Sequence, residues 1–371
     1  MRLRYDNTQS FVGCNRNMRF RLLCLVSFFF AALFLCTAAG DVESAQQRYR
    51  VTDVGDLEQT SNGIVRALNF NGDIVGASAG LGTGTRAFIL TRERYENLDG
   101  LPGADWSSSH GINDQSMVVG SSNTVTSLRG FIWSKDAQPR ELLPLPGDSS
   151  SEAFGINKHN EVCGYSSGPR GIEAVLWAPD GKVQAIGKLL EGDYSRGNAI
   201  NERGEVVGSS GGTNRKEAFI WSKAGGMENL GTIGAGNSEA FAINSRGEVV
   251  GYTGVLGRTR AFIWSRNSGM EDLGTLPGGR YSRALSINAR GEVVGSSDSA
   301  SGSRAFLWTR NGGMLDLNAL IPSGNDFVLF EAVSVNDRGL ILALGSDDDG
   351  HGHDHGDHEA PARVFILVPE P

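Results

Sequence analysis

The chain has 371 residues, of which 39% are hydrophobic and 51 are glycine, and its formal net charge is −8. An acidic balance without a basic stripe excludes the electrostatic footprint of a nucleic-acid-binding protein. The length is sufficient for a buried core, and an all-β repeat array of this length can form one domain.

The first 45 residues have the layout of a secretory leader. Met18–Arg21 is basic, Leu22–Leu35 is an apolar run, and small residues follow at Thr37–Gly40. The run is shorter than the ~20 residues that a membrane span needs. We therefore expect a leader with a signal peptide at residues 1–45, with translation starting near Met18. The mature chain is expected to be secreted or periplasmic and to have no membrane span.

From residue 46 to residue 368 the sequence repeats itself seven times. Each copy contains an Ile/Val/Leu–Asn step, and the asparagines of these steps are Asn69, Asn113, Asn157, Asn201, Asn244, Asn288 and Asn336. Spacings of 43 to 48 residues are typical of one supersecondary unit per repeat. We expect a single repeat domain at residues 46–368 and a short tail at residues 369–371.

Each copy has four short segments rich in Val, Ile, Phe and Trp. In the sixth copy they are Ala284–Ile287, Glu292–Ser296, Arg304–Thr309 and Met314–Leu317. Four strands with short, glycine-rich connections predict an antiparallel meander. Such a sheet cannot bury both faces alone, so the repeats predict an all-β fold, a seven-bladed β-propeller with four antiparallel strands per blade. A tryptophan recurs in the third segment and is expected to pack between neighbouring sheets, at Trp133, Trp177, Trp221, Trp264 and Trp308.

The repeated asparagine stands where a four-residue turn begins. Such turns favour Asn at the first position and Gly at the fourth, as in Asn201–Gly204 and Asn288–Gly291. Asn160 replaces the glycine in the third copy and tolerates a positive φ. Ser116 replaces it in the second copy, where we expect a looser turn. The asparagines are therefore interpreted as turn formers.

The two ends of the repeat array complement each other. The seventh copy supplies three strand segments, the last at Arg363–Val368, and has no fourth. Tyr49–Gly55 resembles a fourth segment and precedes the first copy. Pairing the two would complete the last sheet and remove an open edge, so we predict closure by the N-terminal strand. The alternative is a different phase, in which the fourth segment opens each blade and the ends exchange no strand.

Charged side chains recur just before a small residue of the first segment in each copy. In order around the predicted ring they are Arg66, His110, Glu152, Arg196, Glu239, Arg283 and Glu331. The innermost strands of a propeller line its channel, so this alternation of sign predicts a charged collar of ion pairs between blades. The alternative is a set of independently solvated charges, and partly exposed pairs contribute only about 0–1 kcal/mol each.

The segment 346–361 is a loop insertion in the last blade with an unusual composition. Alternate histidines project to one side of an extended chain and suit Zn²⁺, Ni²⁺ or Cu²⁺. The candidate ligands are His351, His353, His355, His358, Asp354 and Asp357. The sequence thus predicts a metal site that the fold does not require, or else a merely solvated insertion. No other cofactor is expected.

The repeated phrase resembles a known family. Its pattern, SxAxxINxxGxVVG followed by RAFxW and GMxDLGTLPGG, is similar to that of the HAF-repeat proteins, described as bacterial extracellular repeat proteins. The resemblance covers nearly the whole span from Tyr49 to Val368. It implies export and a β-propeller-like fold, and it implies no activity.

The function that these patterns favour is a non-catalytic binding or surface-interaction module. Such a module would be a monomer that binds a glycan or a protein outside the cell or in the envelope, and no catalytic residue is assigned. One alternative is an exported propeller enzyme, a carbohydrate-active hydrolase or lyase with its site at the channel mouth. Another is a metal-handling protein that uses the His-rich loop. Two or more buried, convergent ionisable groups in the channel would favour the enzyme.

Overall fold

The computed structural model describes residues 47–54, 64–80, 84–92, 94–135, 137–189, 192–212, 215–234, 236–255, 258–347 and 362–371. The leader and most of the His-rich loop lie outside these ranges. In the described ranges, no helix has the length and apolar character needed to cross a membrane.

The described residues form strands almost throughout. We number the four-stranded units as blades 1 to 7 in chain order. Blade 1 contains β2 (Ile64–Leu68), β3 (Ile74–Gly80), β4 (Gly84–Leu90) and β5 (Tyr95–Leu98), and blade 2 contains β6 (Ser107–Ile112), β7 (Val118–Asn123), β8 (Leu128–Ser134) and β9 (Ala137–Leu142). Blade 3 contains β10 (Ser150–Ile156), β11 (Val162–Gly168), β12 (Gly171–Trp177) and β13 (Val183–Gly187), and blade 4 contains β14 (Tyr194–Ile200), β15 (Val206–Gly212), β16 (Arg215–Ser222) and β17 (Gly226–Gly231).

The remaining blades follow the same plan. Blade 5 contains β18 (Asn237–Ile243), β19 (Val249–Val255), β20 (Arg258–Ser265) and β21 (Gly269–Asp272), and blade 6 contains β22 (Ser282–Ile287), β23 (Val293–Ser299), β24 (Gly302–Thr309) and β25 (Gly313–Asp316). Blade 7 contains β26 (Phe327–Val335), β27 (Ile341–Asp347), β28 (Arg363–Pro369) and, from the other end of the chain, β1 (Tyr49–Asp53). A 3₁₀ turn at Leu317–Ala319 precedes this last blade.

Each blade is an antiparallel meander with its first strand innermost, or with β26 innermost in blade 7. A single parallel pair, Ile172 with Tyr194, joins blades 3 and 4. The innermost strands contact one another in sequence, and β26 contacts β2. The blades therefore form a closed ring around a channel, which is the architecture of a β-propeller.

The predicted closure by the N-terminal strand is confirmed. β1 pairs antiparallel with β28, from Tyr49 opposite Pro369 to Asp53 opposite Phe365. The other phase is excluded because the fourth strand of each blade from 1 to 6 pairs with the third strand of its own blade, as β5 pairs with β4. Tyr49 is 2% exposed, so the strand contributes a buried side chain as well as its hydrogen bonds.

The core lies between adjacent blades, as the recurring aromatic residues predict. Trp177 of blade 3 packs with Val119 and Leu142 of blade 2, and its indole N–H donates to the Leu143 carbonyl at 2.8 Å. Trp264 of blade 5 packs in the same way against Val207 of blade 4. Burying one such side chain stabilises the fold by about 1.5–3 kcal/mol, and the repeat supplies one for most interfaces.

The repeated asparagines do more than form turns. Within each turn the Oδ1 atom accepts backbone N–H groups, as Asn201 does from Arg203 and Glu205 at 3.0 Å each. The Nδ2 atom of each asparagine donates to the backbone carbonyl of the next asparagine around the ring. These distances are 3.3, 3.0, 3.1, 3.1, 3.0 and 3.0 Å from Asn69 to Asn336, and 2.9 Å from Asn336 back to Asn69. The asparagines therefore link every blade to the next.

The looser turn expected at Ser116 is not found. Ser116 adopts a φ of 57° and Asn160 a φ of 60°, so both side chains take the left-handed conformation that glycine takes elsewhere. The Ser116 N–H still donates to the Asn113 carbonyl at 2.9 Å, and its hydroxyl donates to Asp73 of blade 1 at 2.9 Å. This second hydrogen bond offsets the backbone strain.

Candidate functional site

A β-bulge in the innermost strand of every blade places side chains at the channel. The register shifts across one residue in each of these strands, and the bulged residues at equivalent positions are Arg66, His110, Phe154, Asn198, Phe241, Leu285 and Val333. The strand of blade 7 has a second shift, at Phe330. A bulged residue has no partner in the ladder, so its side chain is redirected. Bulges of this kind are over-represented beside functional sites.

The positions of the bulges show that the seven predicted collar residues do not all occupy equivalent strand positions. Arg66 and His110 occupy the bulge itself, whereas the other collar residues stand two residues earlier in the strand. Those five are Glu152, Arg196, Glu239, Arg283 and Glu331. The sequence contains a signal for the difference. Arg66 and His110 stand three residues before the anchor asparagine of their copies, whereas each of the other five collar residues stands five residues before its own.

The collar residues do not form an unbroken ring of ion pairs among the described residues. Arg283 pairs with Glu331 of the next blade, as the alternation predicts. His110 Nε2 lies 3.8 Å from Glu152 Oε1. Glu239, however, pairs with Lys216 at 2.6 Å and with neither neighbouring collar arginine.

Six side chains from blades 1 to 4 gather on one side of the channel. We call them the channel cluster: Arg66, His110, Glu152, Phe154, Tyr165 and Arg196. The Phe154 ring is stacked on the His110 imidazole with centroids 5.1 Å apart, and the Arg196 guanidinium carbon lies 3.8 Å from the Phe154 ring centroid. The Tyr165 ring is tilted against Phe154 at 5.9 Å. Phe154 is thus the common neighbour of an imidazole, a guanidinium and a phenol.

Glu152 is held by hydroxyl groups. Its Oε1 accepts from the Ser121 hydroxyl at 3.1 Å, and its Oε2 accepts from the Tyr165 hydroxyl at 2.7 Å. Burial raises the pKa of Tyr165, and its hydrogen bond to Glu152 raises it further. The phenol therefore remains protonated and keeps the carboxylate beside His110.

His110 is a neutral imidazole of defined tautomer. Its Nδ1 lies 2.9 Å from the Ala153 carbonyl oxygen, and a carbonyl can only accept, so Nδ1 carries the hydrogen and Nε2 presents a lone pair. Burial lowers the pKa of His110 most; Glu152 and the Ala153 carbonyl oppose this, and Arg66 and Arg196 lower it further. A buried, neutral imidazole with an unprotonated Nε2 is equipped to accept a proton.

Two guanidinium groups of the channel cluster have no carboxylate partner in the part of the chain that the structure describes. Neither Arg66 nor Arg196 makes an ion pair within 4.0 Å with a described residue, and the buried Arg196 Nε has no hydrogen-bond partner there. The Arg66 side chain is exposed on the innermost strand of blade 1. Its pKa is nevertheless lowered, first by partial loss of hydration and then by the charge of Arg196, against the opposing effects of Glu152 and Glu331. This local excess of positive charge fits a bound anion.

The opposite wall of the channel is satisfied internally. Glu239 accepts hydrogen bonds from Lys216 at 2.6 Å, Asn198 at 3.2 Å, Ser209 at 3.3 Å and Tyr252 at 3.3 Å. All acceptor capacity of this carboxylate is in use, so it has no lone pair left for a ligand. Cys163 is also unsuited to chemistry, because burial raises the pKa of its thiol to about 12.

The predicted metal ligands His351, His353, His355, His358, Asp354 and Asp357 lie outside the described residues. Within the described part of the chain, no group of three or more His, Cys, Asp or Glu side chains could hold a metal ion. The sequence reasoning assigned no role to Phe154 or Tyr165. A signal existed for Tyr165, since the residue opposite the collar position is also tyrosine at Tyr252.

Comparisons with known proteins show which solved structures share the fold. No protein-family model matches the chain, and no curated protein does. Among solved structures, virginiamycin B lyase from Staphylococcus aureus has a TM-score of 0.54 at 10% identity, covering 86% of this chain and 99% of that one. Oligogalacturonate lyase from Vibrio parahaemolyticus has a TM-score of 0.53 at 11% identity, covering 86% and 93%. The β-propeller domain of the trilobed protease from Pyrococcus furiosus has a TM-score of 0.51 at 11% identity, covering 83% and 94%.

At these identities the likeness establishes the fold, and the expected all-β propeller of four-stranded antiparallel sheets is confirmed. The expectation of a non-catalytic binding module is contradicted, because the similar structures include two lyases. The enzyme alternative agrees better with them. The convergent ionisable groups of the channel cluster, named beforehand as the feature that would favour an enzyme, are the physical counterpart of this correction.

Proposed function

We propose that this chain is an exported β-propeller lyase that cleaves a carboxylate-bearing carbohydrate, such as a chain of uronic acids, in its channel. One observation carries the proposal: two guanidinium groups that make no ion pair with a described residue interact electrostatically with a neutral histidine whose Nε2 carries a lone pair. Export rests on the signal-peptide pattern of the leader and on the HAF-repeat resemblance. The name of the similar oligogalacturonate lyase describes a substrate of this acidic class.

The chemistry of elimination suits these groups. A base removes the proton from the carbon next to the carboxylate, the C–H electron pair becomes the new C=C bond, and the C–O bond to the leaving sugar breaks. Negative charge builds up on the substrate carboxylate in the transition state, and Arg66 and Arg196 would stabilise it there. No water is consumed.

His110 is the candidate base. Its Nε2 takes the proton, and Glu152, 3.8 Å away, stabilises the imidazolium that forms. The imidazolium then returns the proton to the leaving oxygen, which balances the reaction and regenerates neutral histidine. Tyr165 holds Glu152 in place through its 2.7 Å hydrogen bond. General acid–base catalysis of this kind contributes about 10²–10⁴-fold to a rate.

To test the proposal, the purified protein without its leader is incubated with polygalacturonate, alginate and a neutral galactan. Elimination produces a conjugated double bond that absorbs in the ultraviolet, whereas hydrolysis produces reducing ends without that absorbance. We expect ultraviolet-absorbing products from at least one polyuronate and none from galactan. Cleavage of the neutral glycan alone, or no cleavage of any polyuronate, would contradict the proposal.

Arg196→Gln is the informative variant, because it removes one of the two partnerless guanidinium groups. We expect it to lower activity about 10²–10³-fold, the usual loss when a charge-stabilising donor is removed. Arg283→Gln is the matched control: Arg283 occupies the same strand position in blade 6 but is already paired with Glu331. Equal losses in both variants would show that Arg196 has no special role.

A further inference from the structure

Resting on the function proposed above, we infer that Phe154 is the positioning residue of the channel cluster: its ring holds the His110 imidazole and the Arg196 guanidinium apart at fixed places beside the substrate. The ring itself has no group that could take part in proton transfer. Its contribution is geometric.

Phe154 contacts both His110 and Arg196. His110 comes from blade 2 and Arg196 from blade 4, so the two approach Phe154 from the blades on either side of it. The imidazole plane is inclined by only 13° to the Phe154 ring, and the guanidinium carbon lies 3.8 Å from its centroid. A guanidinium that lies over a ring in this way can still donate from its N–H groups to an anion.

The backbone that carries the Phe154 ring is tightly packed against both neighbouring blades. A Cβ added to Gly111 of blade 2 would lie 2.5 Å from the Phe154 carbonyl oxygen, and one added to Gly155 would lie 3.1 Å from the Ala199 Cα of blade 4. The bulge of β10 is therefore in close backbone contact with both neighbouring blades. Phe154 has little freedom to move relative to the two groups that it separates.

Without the Phe154 ring, the Arg196 side chain could approach Glu152. Glu152 is the carboxylate beside His110, and its negative charge acts to raise the pKa of Arg66. An Arg196 side chain released from Phe154 would be drawn towards this carboxylate, since opposite charges a few ångströms apart attract. The anion site would then be neutralised internally, as Glu239 is neutralised by Lys216 on the opposite wall.

Phe154→Leu tests the inference with a control inside the molecule. Leucine occupies the same bulge position at Leu285 in blade 6, so the backbone accepts it there. Phe241→Leu makes the same exchange at the bulge of blade 5, where the ring lies 5.6 Å from Tyr252 and outside the channel cluster. Phe154→Tyr keeps the ring and should restore the wild-type properties.

Two measurements are needed. For Phe154→Leu we expect kcat on the polyuronate to fall roughly 10²-fold, the size of loss that a misplacement of ~1 Å produces, with a smaller change in KM. The His110 imidazole is then titrated by NMR, its resonance being assigned with His110→Gln. Its pKa should fall further below the ordinary value of about 6.5 in Phe154→Leu, because an Arg196 side chain that approaches Glu152 also approaches the imidazole and offsets the Glu152 charge, which raises the His110 pKa in the wild-type protein. Phe241→Leu and Phe154→Tyr should leave both properties unchanged.

The two proposals fail in different ways. If the wild-type protein cleaves no polyuronate but the His110 titration shifts in Phe154→Leu alone, the lyase is wrong and the positioning role is supported. If the wild-type protein is active and Phe154→Leu retains both its kcat and its His110 titration, the positioning role is wrong. A shift of equal size in Phe241→Leu would also overturn it, because a general loosening of the channel would then be the cause.

Discussion

The two walls of the channel use the charged residues of the innermost strands in opposite ways. On the wall of blades 4 to 7, Glu239 accepts from four side chains and Arg283 is paired with Glu331. On the wall of blades 1 to 4, Arg66 and Arg196 have no carboxylate partner among the described residues. A charge that is satisfied inside the protein supports the fold, whereas one left partnerless at some cost to stability is available to a ligand.

Substitution of Glu239 should therefore have the largest effect on stability. Glu239→Ala leaves the Lys216 ammonium without its partner and deprives three further donors of their acceptor. We expect a loss of about 3 kcal/mol in the free energy of unfolding, since breaking a largely buried ion pair by removing one partner is strongly destabilising. Urea unfolding measures it.

Arg196→Gln is the counterpart on the other wall. It removes a guanidinium that makes no ion pair with a described residue, so only its contact with the Phe154 ring is lost, and we expect a change of no more than about 1 kcal/mol. A loss comparable to that of Glu239→Ala would mean that both walls are structural, and the distinction between them would fail.

The asparagine ring should not distinguish the two walls. Asn69→Ala in blade 1 and Asn244→Ala in blade 5 each remove a link to the next blade and the acceptor for their own turn. We expect both to cost about 2 kcal/mol, the sum of a few modest hydrogen bonds. Asn71→Ala, at an exposed position in the first of these turns, should cost almost nothing. Very unequal losses at Asn69 and Asn244 would show that the scaffold itself is asymmetric.

A further expected effect is the pH dependence of stability that His110 imposes. Its pKa is lowered in the folded chain, so between that value and about 6.5 the unfolded chain binds a proton that the folded chain does not. Stability should therefore rise with pH across this window and fall on acidification, by at most about 1.4 kcal/mol per pH unit. His110→Gln should flatten this part of the profile, whereas His159→Gln, at an exposed turn, should not. Identical slopes in all three proteins would contradict the assignment.

Much of the fold could be predicted from the sequence because its causes are local and repeated. The asparagine spacing indicated the repeat, the turn chemistry indicated the hairpins, and the strand missing at one end matched the spare strand at the other. The structure confirms each of these features in the pairing of β1 with β28 and in the turns at the asparagines. Even so, the hydrogen bonds that join one asparagine to the next could not be foreseen, since they connect residues more than 40 positions apart.

The channel cluster could be predicted only in part from the sequence. The sequence by itself determined which charges stand on the innermost strands, and Arg66, His110, Glu152 and Arg196 were all selected for that reason. Only the tertiary structure decided that a bulge falls at Arg66 and His110 but two residues after each of the other collar residues, and that Phe154 and Tyr165 join the cluster. The physical reason is that a bulge changes side-chain direction without changing the repeat length. Which charges meet a partner therefore depends on packing across blades, which the spacing along the chain does not record.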